Sequence, residues 1–261
     1  MSGLRDRYGP WALVAGASAG LGEAFARRLA ATGLDLVLLS RRQEALDRLA
    51  GELRAAHGVE VRTCALDLGR PDLAGAVRAL AEGLEVGLLV YNAAHSVIGP
   101  FVDRPLEEQI RVLDVNCRGS LVLCHLLGGS MARRGRGGIV IMTSIAGSQG
   151  NPLLASYAAS KAFGLVLAEG LWSELRERGV DVVACRAGAT DTPGYASSRP
   201  RKKVPLMAPD DVVEAALRAL GRRPSVVPGA LNRTAAFAFG RLLPRRVSIS
   251  IMGRATRRLY G

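Results

Sequence analysis

The sequence predicts an α/β fold in which a doubly wound parallel sheet carries helices on both faces. Short apolar runs alternate with stretches of helical periodicity along most of the 261 residues. The runs are nearly continuous in apolar residues, as in strands that are buried on both faces of a sheet. Alternation of this kind joins parallel strands through helices, so we expect one large sheet.

The first half of the chain supplies four strands and three helices. The strands are expected at 11–15, 34–39, 59–65 and 86–91, and the helices at 19–32, 43–56 and 71–81. Leu21, Phe25 and Leu29 recur every four residues in the first helix, and this spacing places them on one face. Gly33 follows where a C-terminal glycine cap would stand.

The second half continues the alternation. Pro105 begins a long helical region that reaches about Arg134 with a bend. Strands are expected at 138–143, 180–185 and 225–227, and helices at 155–178 and 209–221. We therefore predict a single domain over 1–261, with a core at about 9–228 and a basic C-terminal helical extension at 229–261. Ligands of such sheets bind beyond the carboxyl ends of the strands.

The first strand–helix junction has the composition of a phosphate-binding turn. It reads Gly16-Ala17-Ser18-Ala19-Gly20-Leu21-Gly22. Glycines let the backbone approach a pyrophosphate closely, and the following helix directs its free N–H groups and positive dipole end at it. Plain turn geometry also explains such glycines. Their place after the first strand favours a Rossmann-like dinucleotide site whose candidate contacts are Gly16, Ser18, Ala19, Gly20, Leu21 and Gly22.

The end of the second strand indicates which dinucleotide is bound. It reads Ser40-Arg41-Arg42, and Ser40 lies 18 positions after Gly22, where NAD-binding folds place an acidic residue for the ribose 2′-hydroxyl. A hydroxyl and two guanidinium groups favour a 2′-phosphate, so we expect NADP(H). A solvated arginine pair is the competing interpretation. Asp67 and Leu68 are candidate cofactor contacts, although Asp67 also suits a cap for the helix near Pro71.

A proton-transfer site is predicted after the fifth strand. Ser144 follows that strand, Tyr157 lies 13 positions later and Lys161 a further four. Positions four apart share a helix face, so the ammonium can stabilise a phenolate one turn away. Lowering the pKa of a tyrosine by about 3 units requires about 4 kcal/mol. Tyr157 would then exchange a proton with a carbonyl or alcohol oxygen near neutral pH.

Taken together, these motifs resemble the classical short-chain dehydrogenase/reductase family over about residues 9–228. The family's glycine motif matches Gly16, Gly20 and Gly22, and its catalytic residues match Asn116, Ser144, Tyr157 and Lys161. Its N-N-A-G motif matches in part, as Tyr91-Asn92-Ala93-Ala94. Four positions depart from the family pattern, namely Ala15, Tyr91, Ala94 and Ala187.

The resemblance implies an NADP(H)-dependent oxidoreductase that transfers a hydride between the nicotinamide and a ketone, aldehyde or secondary alcohol. By the same resemblance, Asn116 helps to hold a water that relays protons from Lys161, and Ser144 orients the substrate oxygen. Lys161 also binds the nicotinamide ribose. The other implied cofactor contacts are Asn92, Ala93, Tyr157, Gly188, Thr190 and Thr192. Family habit implies a homodimer or homotetramer, and the branch with 17β-hydroxysteroid and 3-oxoacyl-CoA reductases suggests a hydrophobic ketone.

Two segments outside these motifs are basic. Residues 191–208 lie where the family has a mobile substrate lid. Their basic side chains either bind an anionic substrate, such as an acyl-CoA or a phosphate ester, or belong to a solvated loop. Residues 231–260 contain no acidic residue and are expected to form one or two amphipathic helices around Pro244. Three interpretations of that extension stay open. It contacts a membrane surface, it packs on a subunit or within the chain, or it is loosely ordered.

Composition and charge restrict the classes of partner, metal site and cellular location that we expect. The net charge is +12, but only three of the 35 basic residues are lysines, so we expect no nucleic-acid partner. Four cysteines without a C-x-x-C pair and three scattered histidines predict no metal site. Neither a signal peptide nor a spanning segment is recognisable, which favours the cytoplasm, with peripheral membrane association as the alternative. A protein that senses NADP(H) without turnover also stays open, although it would have no need of the catalytic residues.

Overall fold

A computed structural model describes residues 3–261 and contains, within them, one seven-stranded parallel sheet. The strands are β1 (Trp11–Ala15), β2 (Asp35–Ser40), β3 (Val61–Ala65), β4 (Val86–Tyr91), β5 (Gly137–Ser144), β6 (Val180–Ala187) and β7 (Ser225–Val226). Their order in the sheet is β3-β2-β1-β4-β5-β6-β7. The chain therefore reverses its winding direction between β1 and β4, and this is the position at which such sheets form a ligand crevice. The predicted fold class is confirmed.

Helices connect the strands and extend the chain at its C-terminal end. They are α1 (Leu4–Tyr8), α2 (Gly20–Ala30), α3 (Gln43–His57), α4 (Leu73–Ala81), α5 (Leu106–Leu113), α6 (Gly119–Arg134), α7 (Ala155–Arg176), α8 (Pro193–Ser197), α9 (Pro209–Ala219), α10 (Ala230–Phe237) and α11 (Arg245–Tyr260). A π-helical turn, Asp114–Arg118, separates α5 from α6. This turn interrupts the long helical region that was expected from Pro105 to about Arg134, and Asn116 lies in it.

The two faces of the sheet are covered by different helices. Phe25 and Leu29 of α2 are fully buried with side chains of α3 and α9 on one face. Helices α4, α6 and α7 contribute to a second apolar cluster on the other face. In β1, Val14 packs into the first cluster and Leu13 into the second, because successive side chains of a strand point to opposite faces. Burial on both sides explains the continuous apolar runs in the sequence.

Some boundaries differ from the predicted ones. Strand β3 begins at Val61, opposite Leu36 of β2, rather than at residue 59. Helix α4 begins after Asp72 rather than at Pro71. The short helices α1 and α8 were not expected. Helix α8 forms within the presumed lid because the Thr192 side chain accepts a hydrogen bond from the Tyr195 N–H at 3.1 Å and so caps its first turn.

The extension consists of two helices on either side of Pro244, as expected. Helix α11 packs against its own chain: Thr256 Oγ1 donates to Asn151 Oδ1 at 2.6 Å, and Arg245 donates to the carbonyl of Ser148 at 3.1 Å. The Leu259 carbonyl accepts a hydrogen bond of 2.8 Å from the Arg201 N–H. The extension thereby reaches the segment around α8. Among the described helices, none is both long and apolar enough to traverse a bilayer.

Candidate active site

A cavity of about 780 Å³ lies beyond the carboxyl ends of β1, β4, β5 and β6. Most of the predicted site residues line it: Gly16, Ser18, Ala19, Gly20, Leu21, Ser40, Arg41, Arg42, Asp67, Leu68, Asn92, Ala93, Ser144, Tyr157, Lys161, Gly188, Thr190 and Thr192. Two predicted residues, Gly22 and Asn116, lie behind this lining rather than in it. The fold therefore brings the presumed cofactor and catalytic residues to one cavity from both halves of the chain.

The glycine turn is shaped by close backbone contacts. Gly16 has a φ of +84°, and a Cβ there would lie 2.7 Å from the backbone of Ala93. A Cβ on Gly22 would overlap the carbonyl oxygen of Gly16. That oxygen also accepts a hydrogen bond of 3.0 Å from Asn92 Nδ2. Gly22 thus shapes the turn from beneath, while Gly20 and Leu21, at the N-terminal end of α2, face the cavity.

These residues fit the pyrophosphate of a dinucleotide. The first N–H groups of a helix have no partner within the helix, and the positive end of its dipole adds to their attraction for an anion. The turn keeps side chains away from this end of α2, because Cβ atoms at Gly16 and Gly22 would fill the space that the close backbone contacts use. A phosphate can therefore approach the backbone directly.

Two arginines border the cavity at the end of β2. Arg42 donates to the Ser18 hydroxyl at 3.0 Å and to the Ser18 carbonyl at 3.3 Å. Its own N–H donates to the Ser40 hydroxyl at 3.1 Å. Arg41 also lines the cavity. The two guanidinium groups and two hydroxyls form a polar edge without a carboxylate partner for a ribose 2′-hydroxyl, and such an edge suits a phosphate.

Asp67 also lines this cavity, and the charge of Arg41 acts on its carboxylate. It accepts hydrogen bonds from the Gly69 N–H at 3.0 Å and from Arg111 at 3.0 Å. Partial burial opposes ionisation, but the Gly69 N–H and the Arg111 guanidinium outweigh it and lower the pKa of Asp67. The alternative reading of Asp67 as a helix cap is wrong, because α4 begins only after Asp72. The turn at residues 67–70 directs the Asp67 carboxylate toward Gly69 instead.

Helix α7 carries both members of the Tyr–Lys pair beside the end of β5. The Lys161 ammonium donates to the carbonyl of Met142 at 2.9 Å and lies 5.6 Å from the centre of the Tyr157 ring. Burial lowers the pKa of Lys161 to about 8. The expected lowering of the Tyr157 pKa is not seen: burial raises this pKa, although the hydrogen bond with the Ser144 hydroxyl acts in the opposite direction. The side chain of Ser144 itself donates to the Ala187 carbonyl at 3.3 Å.

Asn116 connects the loop after β4 to α7. Its Oδ1 accepts from the His95 N–H at 2.7 Å, and its Nδ2 donates to the His95 carbonyl at 2.9 Å. The same Nδ2 donates to the Ser160 hydroxyl at 2.8 Å. Ser160 immediately precedes Lys161. Through these bonds Asn116 fixes both the loop and the helix turn that presents Lys161 to the cavity.

Tyr91 shows how one departure from the family pattern is accommodated. Its side chain is buried at the end of β4, and its hydroxyl donates to the Val115 carbonyl in the π-helical turn. A Cβ at Gly119 would overlap that hydroxyl. The larger residue at position 91 therefore depends on the absence of a side chain at position 119, and the Asn92 side chain keeps its contact with the glycine turn.

The structure adds residues to the site that the sequence did not indicate. Tyr195, Ser198 and Tyr260 line the same cavity as Tyr157. Tyr260 lies on α11, which packs back toward the cavity through contacts made far from it in sequence. No local sequence motif identifies Tyr260 as a site residue. The buried hydrogen bond of Thr256 on the same helix shows that one face of α11 packs against the chain.

Residues 10–203 match the model of the family described as short chain dehydrogenase. The chain is a member of the short-chain dehydrogenase/reductase family. It is 35% identical over 237 residues to a 7β-hydroxysteroid dehydrogenase of Collinsella aerofaciens, a match that covers 88% of this chain and 90% of the relative. The resemblance inferred from the motifs is confirmed.

Two solved structures support the same assignment. One is a structure from work on 7β-hydroxysteroid dehydrogenase stereoselectivity, with a TM-score of 0.90, 33% identity, and coverage of 95% of this chain and 98% of the other. The second is a short-chain dehydrogenase from Sphingobium yanoikuyae in complex with NADPH, with a TM-score of 0.78, 33% identity, and coverage of 89% and 93%. This short-chain dehydrogenase/reductase is accordingly an oxidoreductase that acts on CH–OH groups with a nicotinamide cofactor.

Proposed function

We propose that this short-chain dehydrogenase/reductase uses NADP(H) to interconvert a ketone and a secondary alcohol on a bulky, hydrophobic, steroid-like substrate. The observation that carries the proposal is that Tyr157, Lys161 and Ser144 line the same cavity as the glycine turn and the Arg41–Arg42 edge. A nicotinamide cofactor laid from that edge along the turn ends beside the proton-transfer residues. The bound nicotinamide would supply the hydride for reduction, or accept it in oxidation.

Tyr157 is the proton-transfer residue in this proposal. Because burial raises its pKa, the phenol is protonated at neutral pH and is suited to protonate a carbonyl oxygen during reduction. The Lys161 ammonium near the ring then stabilises the phenolate that remains. Ser144 orients the substrate oxygen through its hydroxyl. Asn116 is a positioning residue that holds Lys161 through Ser160 and, by family resemblance, helps to hold the relay water.

The preference for NADP(H) rests on the charges at the end of β2. Arg41 and Arg42 border the cavity, and guanidinium groups bind phosphates with charge-assisted hydrogen bonds. The NADPH complex of the Sphingobium yanoikuyae relative supports the same choice. The remaining proposed contacts are the residues of the glycine turn, Asp67, Leu68, Asn92, Ala93, Gly188, Thr190 and Thr192.

The steroid-like substrate is supported by the relatives and by the lining of the cavity. Two of the comparisons above concern 7β-hydroxysteroid dehydrogenases. The cavity lining includes the apolar and aromatic side chains of Ile98, Leu154, Tyr195 and Tyr260, beside polar ones such as Ser197. Aliphatic and aromatic side chains of this kind suit a rigid hydrophobic body with few polar groups. A 3-oxoacyl substrate has the same reacting ketone on a flexible chain. It should therefore be assayed alongside the steroid ketones.

The test is a comparison of wild type and Tyr157→Phe with NADPH and a 7-ketosteroid. Wild type should consume NADPH in the presence of the ketone, and the variant should lose at least about a hundredfold in kcat, the usual contribution of a positioned proton donor. Cofactor binding, measured by thermal shift, should survive the substitution. Turnover that is unchanged in Tyr157→Phe would refute the mechanism. Cofactor binding without turnover of any ketone in wild type would favour a sensor.

We further propose one domain over 1–261, cytoplasmic location, and a homodimer or homotetramer. The assembly is supported by an apolar face on α5, α6 and α7 that is open in the single chain. Its exposed side chains are Leu106, Ile110, Leu113, Leu121, Phe163 and Val166. An exposed apolar face of this extent on a folded protein usually marks an interaction surface.

Peripheral membrane contact through the extension is a second candidate role. Leu231, Phe237 and Leu242 are 72%, 59% and 66% exposed, and Arg233 and Arg241 lie among them in the chain. Apolar and basic side chains together favour adsorption to an anionic bilayer. Co-sedimentation with anionic vesicles should fall when Leu231 and Leu242 are both changed to Ser. Equal sedimentation of both forms would exclude this role.

A further inference from the structure

The cavity that we assign to the cofactor contains one acidic side chain among several basic ones. Asp67 is the one carboxylate among the lining residues that the structure describes. The positive charges of the lining come from Arg41, Arg42, Arg111 and Lys161. The 2′-phosphate and the pyrophosphate of NADP(H) are anions, so an ionised carboxylate in the same cavity repels them. Tight binding of NADP(H) therefore requires that the charge of Asp67 be compensated.

Arg111 of α5 is the cation that is bonded to Asp67. One of its terminal nitrogens lies 3.0 Å from Oδ2 and 3.2 Å from Oδ1 of the carboxylate. The Gly69 N–H donates to Oδ1 at 3.0 Å. The nearby Arg70 is bonded to Asp72 instead, at 2.5 and 2.6 Å. In the part of the chain that the structure describes, Arg111 thus forms the one ion pair of Asp67.

The turn that carries Asp67 is held independently of this ion pair. Arg118 donates to the carbonyl of Gly69 at 2.5 Å and to that of Arg70 at 2.8 Å. Arg118 therefore fixes the backbone of the turn, whereas Arg111 is bonded to the Asp67 side chain. Substitution of Arg111 should consequently remove a charge and leave the turn in place.

The compensation matters because Asp67 also acts on the phosphate-binding edge. The charge of Arg41 acts on the Asp67 carboxylate, so the two side chains are within electrostatic reach of each other. Within residues 3–261, Arg41 itself forms no ion pair. A guanidinium group without a carboxylate partner can give its hydrogen bonds to a phosphate. Without Arg111, the carboxylate would attract Arg41 and repel the phosphate.

We propose that Arg111 determines the preference for NADP(H) by neutralising Asp67, which leaves Arg41 and Arg42 available for the 2′-phosphate. Arg111 is a positioning residue in this role, because it acts on the phosphate through Asp67 and not by contact. The inference rests on the proposed function, since it takes the 2′-phosphate to bind at the Arg41–Arg42 edge. The decisive quantity is the net charge of the Arg111–Asp67 pair, which is zero in wild type.

The test compares adenosine 2′,5′-bisphosphate with 5′-AMP, two probes that differ only in the 2′-phosphate. Calorimetry gives both dissociation constants, and the Kd of 5′-AMP divided by that of the bisphosphate measures the preference for the phosphate. Wild type should prefer the bisphosphate. Arg111→Gln should reduce the preference about fivefold, a modest effect because the side chains of the pair are 31% and 40% exposed to solvent. The loss should shrink as salt is added.

Two further variants distinguish an effect of charge from damage to the fold. Arg111→Lys keeps the cation and should keep most of the wild-type preference. The Arg111→Gln/Asp67→Asn double variant makes both side chains neutral, so the net charge of the pair is again zero. It should regain the wild-type preference. A residue that only supported the fold would not be rescued by this second substitution.

Arg62→Gln is the matched control. Arg62 lies on β3, the strand that leads to Asp67, and it forms an ion pair with Glu60 at 3.2 Å outside the cavity lining. Its loss should leave the preference unchanged. Equal weakening of both probes in Arg111→Gln, or an unchanged preference, would overturn the inference. A double variant that binds the bisphosphate no better than Arg111→Gln would also overturn it.

The probes contain no nicotinamide, so the result does not depend on turnover. If the preference responds to Arg111 as expected but the protein reduces no ketone with NADPH, the inference stands and the proposed reaction fails. If the protein reduces a ketone with NADPH and Arg111→Gln keeps the wild-type preference, the proposed reaction stands and the inference fails.

Discussion

At the scale of single residues, Lys161 combines a catalytic position with an electrostatic cost. Its ammonium is buried, has one carbonyl as its hydrogen-bond acceptor, and lies beside the Tyr157 ring. Burial of a cation destabilises the folded state unless a bound partner compensates for it. The proton transfer expected for this family requires a positive charge at Lys161. The folded state is therefore less stable than it would be with an apolar side chain there, and this loss serves function.

The pH dependence of stability should show this cost. Burial lowers the pKa of Lys161 from 10.5 to about 8 in the folded chain. Between those values the unfolded chain binds more protons than the folded one, so the free energy of unfolding rises with pH. The contribution between pH 7.5 and 9.5 is about 2 kcal/mol. Urea denaturation of wild type and Lys161→Met without cofactor measures it.

The variant serves as the reference in that experiment, because both proteins share every other titrating group. The wild-type curve should rise relative to that of Lys161→Met as the pH increases. A difference between the two proteins that is constant across this window would show that Lys161 titrates in the folded chain as it does in water.

Arg42 should determine which dinucleotide binds. It is bonded to Ser18 of the glycine turn, at the edge where a 2′-phosphate would lie. A charge-assisted hydrogen bond contributes about 1.5–3 kcal/mol, so Arg42→Ala should raise the Kd for NADPH by about 10- to 150-fold. The Kd for NADH should change little. Fluorescence titration gives both constants. The control is Arg48→Ala on α3, which lies outside the cavity lining.

Equal weakening of NADPH and NADH in Arg42→Ala would mean that Arg42 supports the shape of the turn rather than a phosphate. An NADH affinity above that for NADPH in wild type would contradict the cofactor preference itself.

At the scale of elements, the β1–turn–α2 unit depends on contacts between backbone atoms. Gly22 belongs to the first turn of α2 and lies against the Gly16 carbonyl. A methyl group there has no space, because the atom it meets is backbone in a turn that is itself fixed by Asn92. Gly22→Ala should therefore displace α2 from the turn.

The expected result for Gly22→Ala is a loss of cofactor affinity of at least about tenfold and a loss of stability of about 1–3 kcal/mol, the range for overpacked buried sites. Gly51→Ala on α3 is the matched control, because a Cβ there would meet nothing within 4 Å. That change should stabilise the chain by about 0.5–1 kcal/mol. Thermal denaturation and NADPH titration check both. A Gly22→Ala protein with normal cofactor affinity would contradict the proposed cradle.

The elements also show what the sequence could predict. The glycine turn, Ser144 and the Tyr157–Lys161 pair lie at the ends of strands or one helix turn apart, so local spacing was enough to place them together. Tyr260 reaches the site through α11, which is anchored by the hydrogen bond between Thr256 and Asn151, 105 positions apart in sequence. Asp67 could be interpreted as a cofactor contact or as a helix cap, because the sequence does not fix where α4 begins, and only the fold brings Arg111 close to it.

At the scale of the whole molecule, the extension closes one side of the site and leaves other apolar surface open. Tyr260 of the extension lines the active-site cavity, whereas Leu231 and Leu242 are exposed. A second open apolar face lies on α5, α6 and α7, and α5 packs against α7. Either face could be the contact between subunits, and one experiment distinguishes the two possibilities.

The proposed homodimer or homotetramer should assemble through the α5–α7 face. Val166 is 68% exposed on α7, and a two-fold axis would bring its copies close together. Val166→Asp places an unpaired carboxylate from each subunit in that interface, and buried unpaired charge is strongly destabilising. Light scattering coupled to size-exclusion chromatography should therefore show a smaller particle than wild type. Leu231→Asp, on the extension, should leave the particle mass unchanged. Dissociation by Leu231→Asp alone would place the interface on the extension, and a monomeric wild type would refute the assembly.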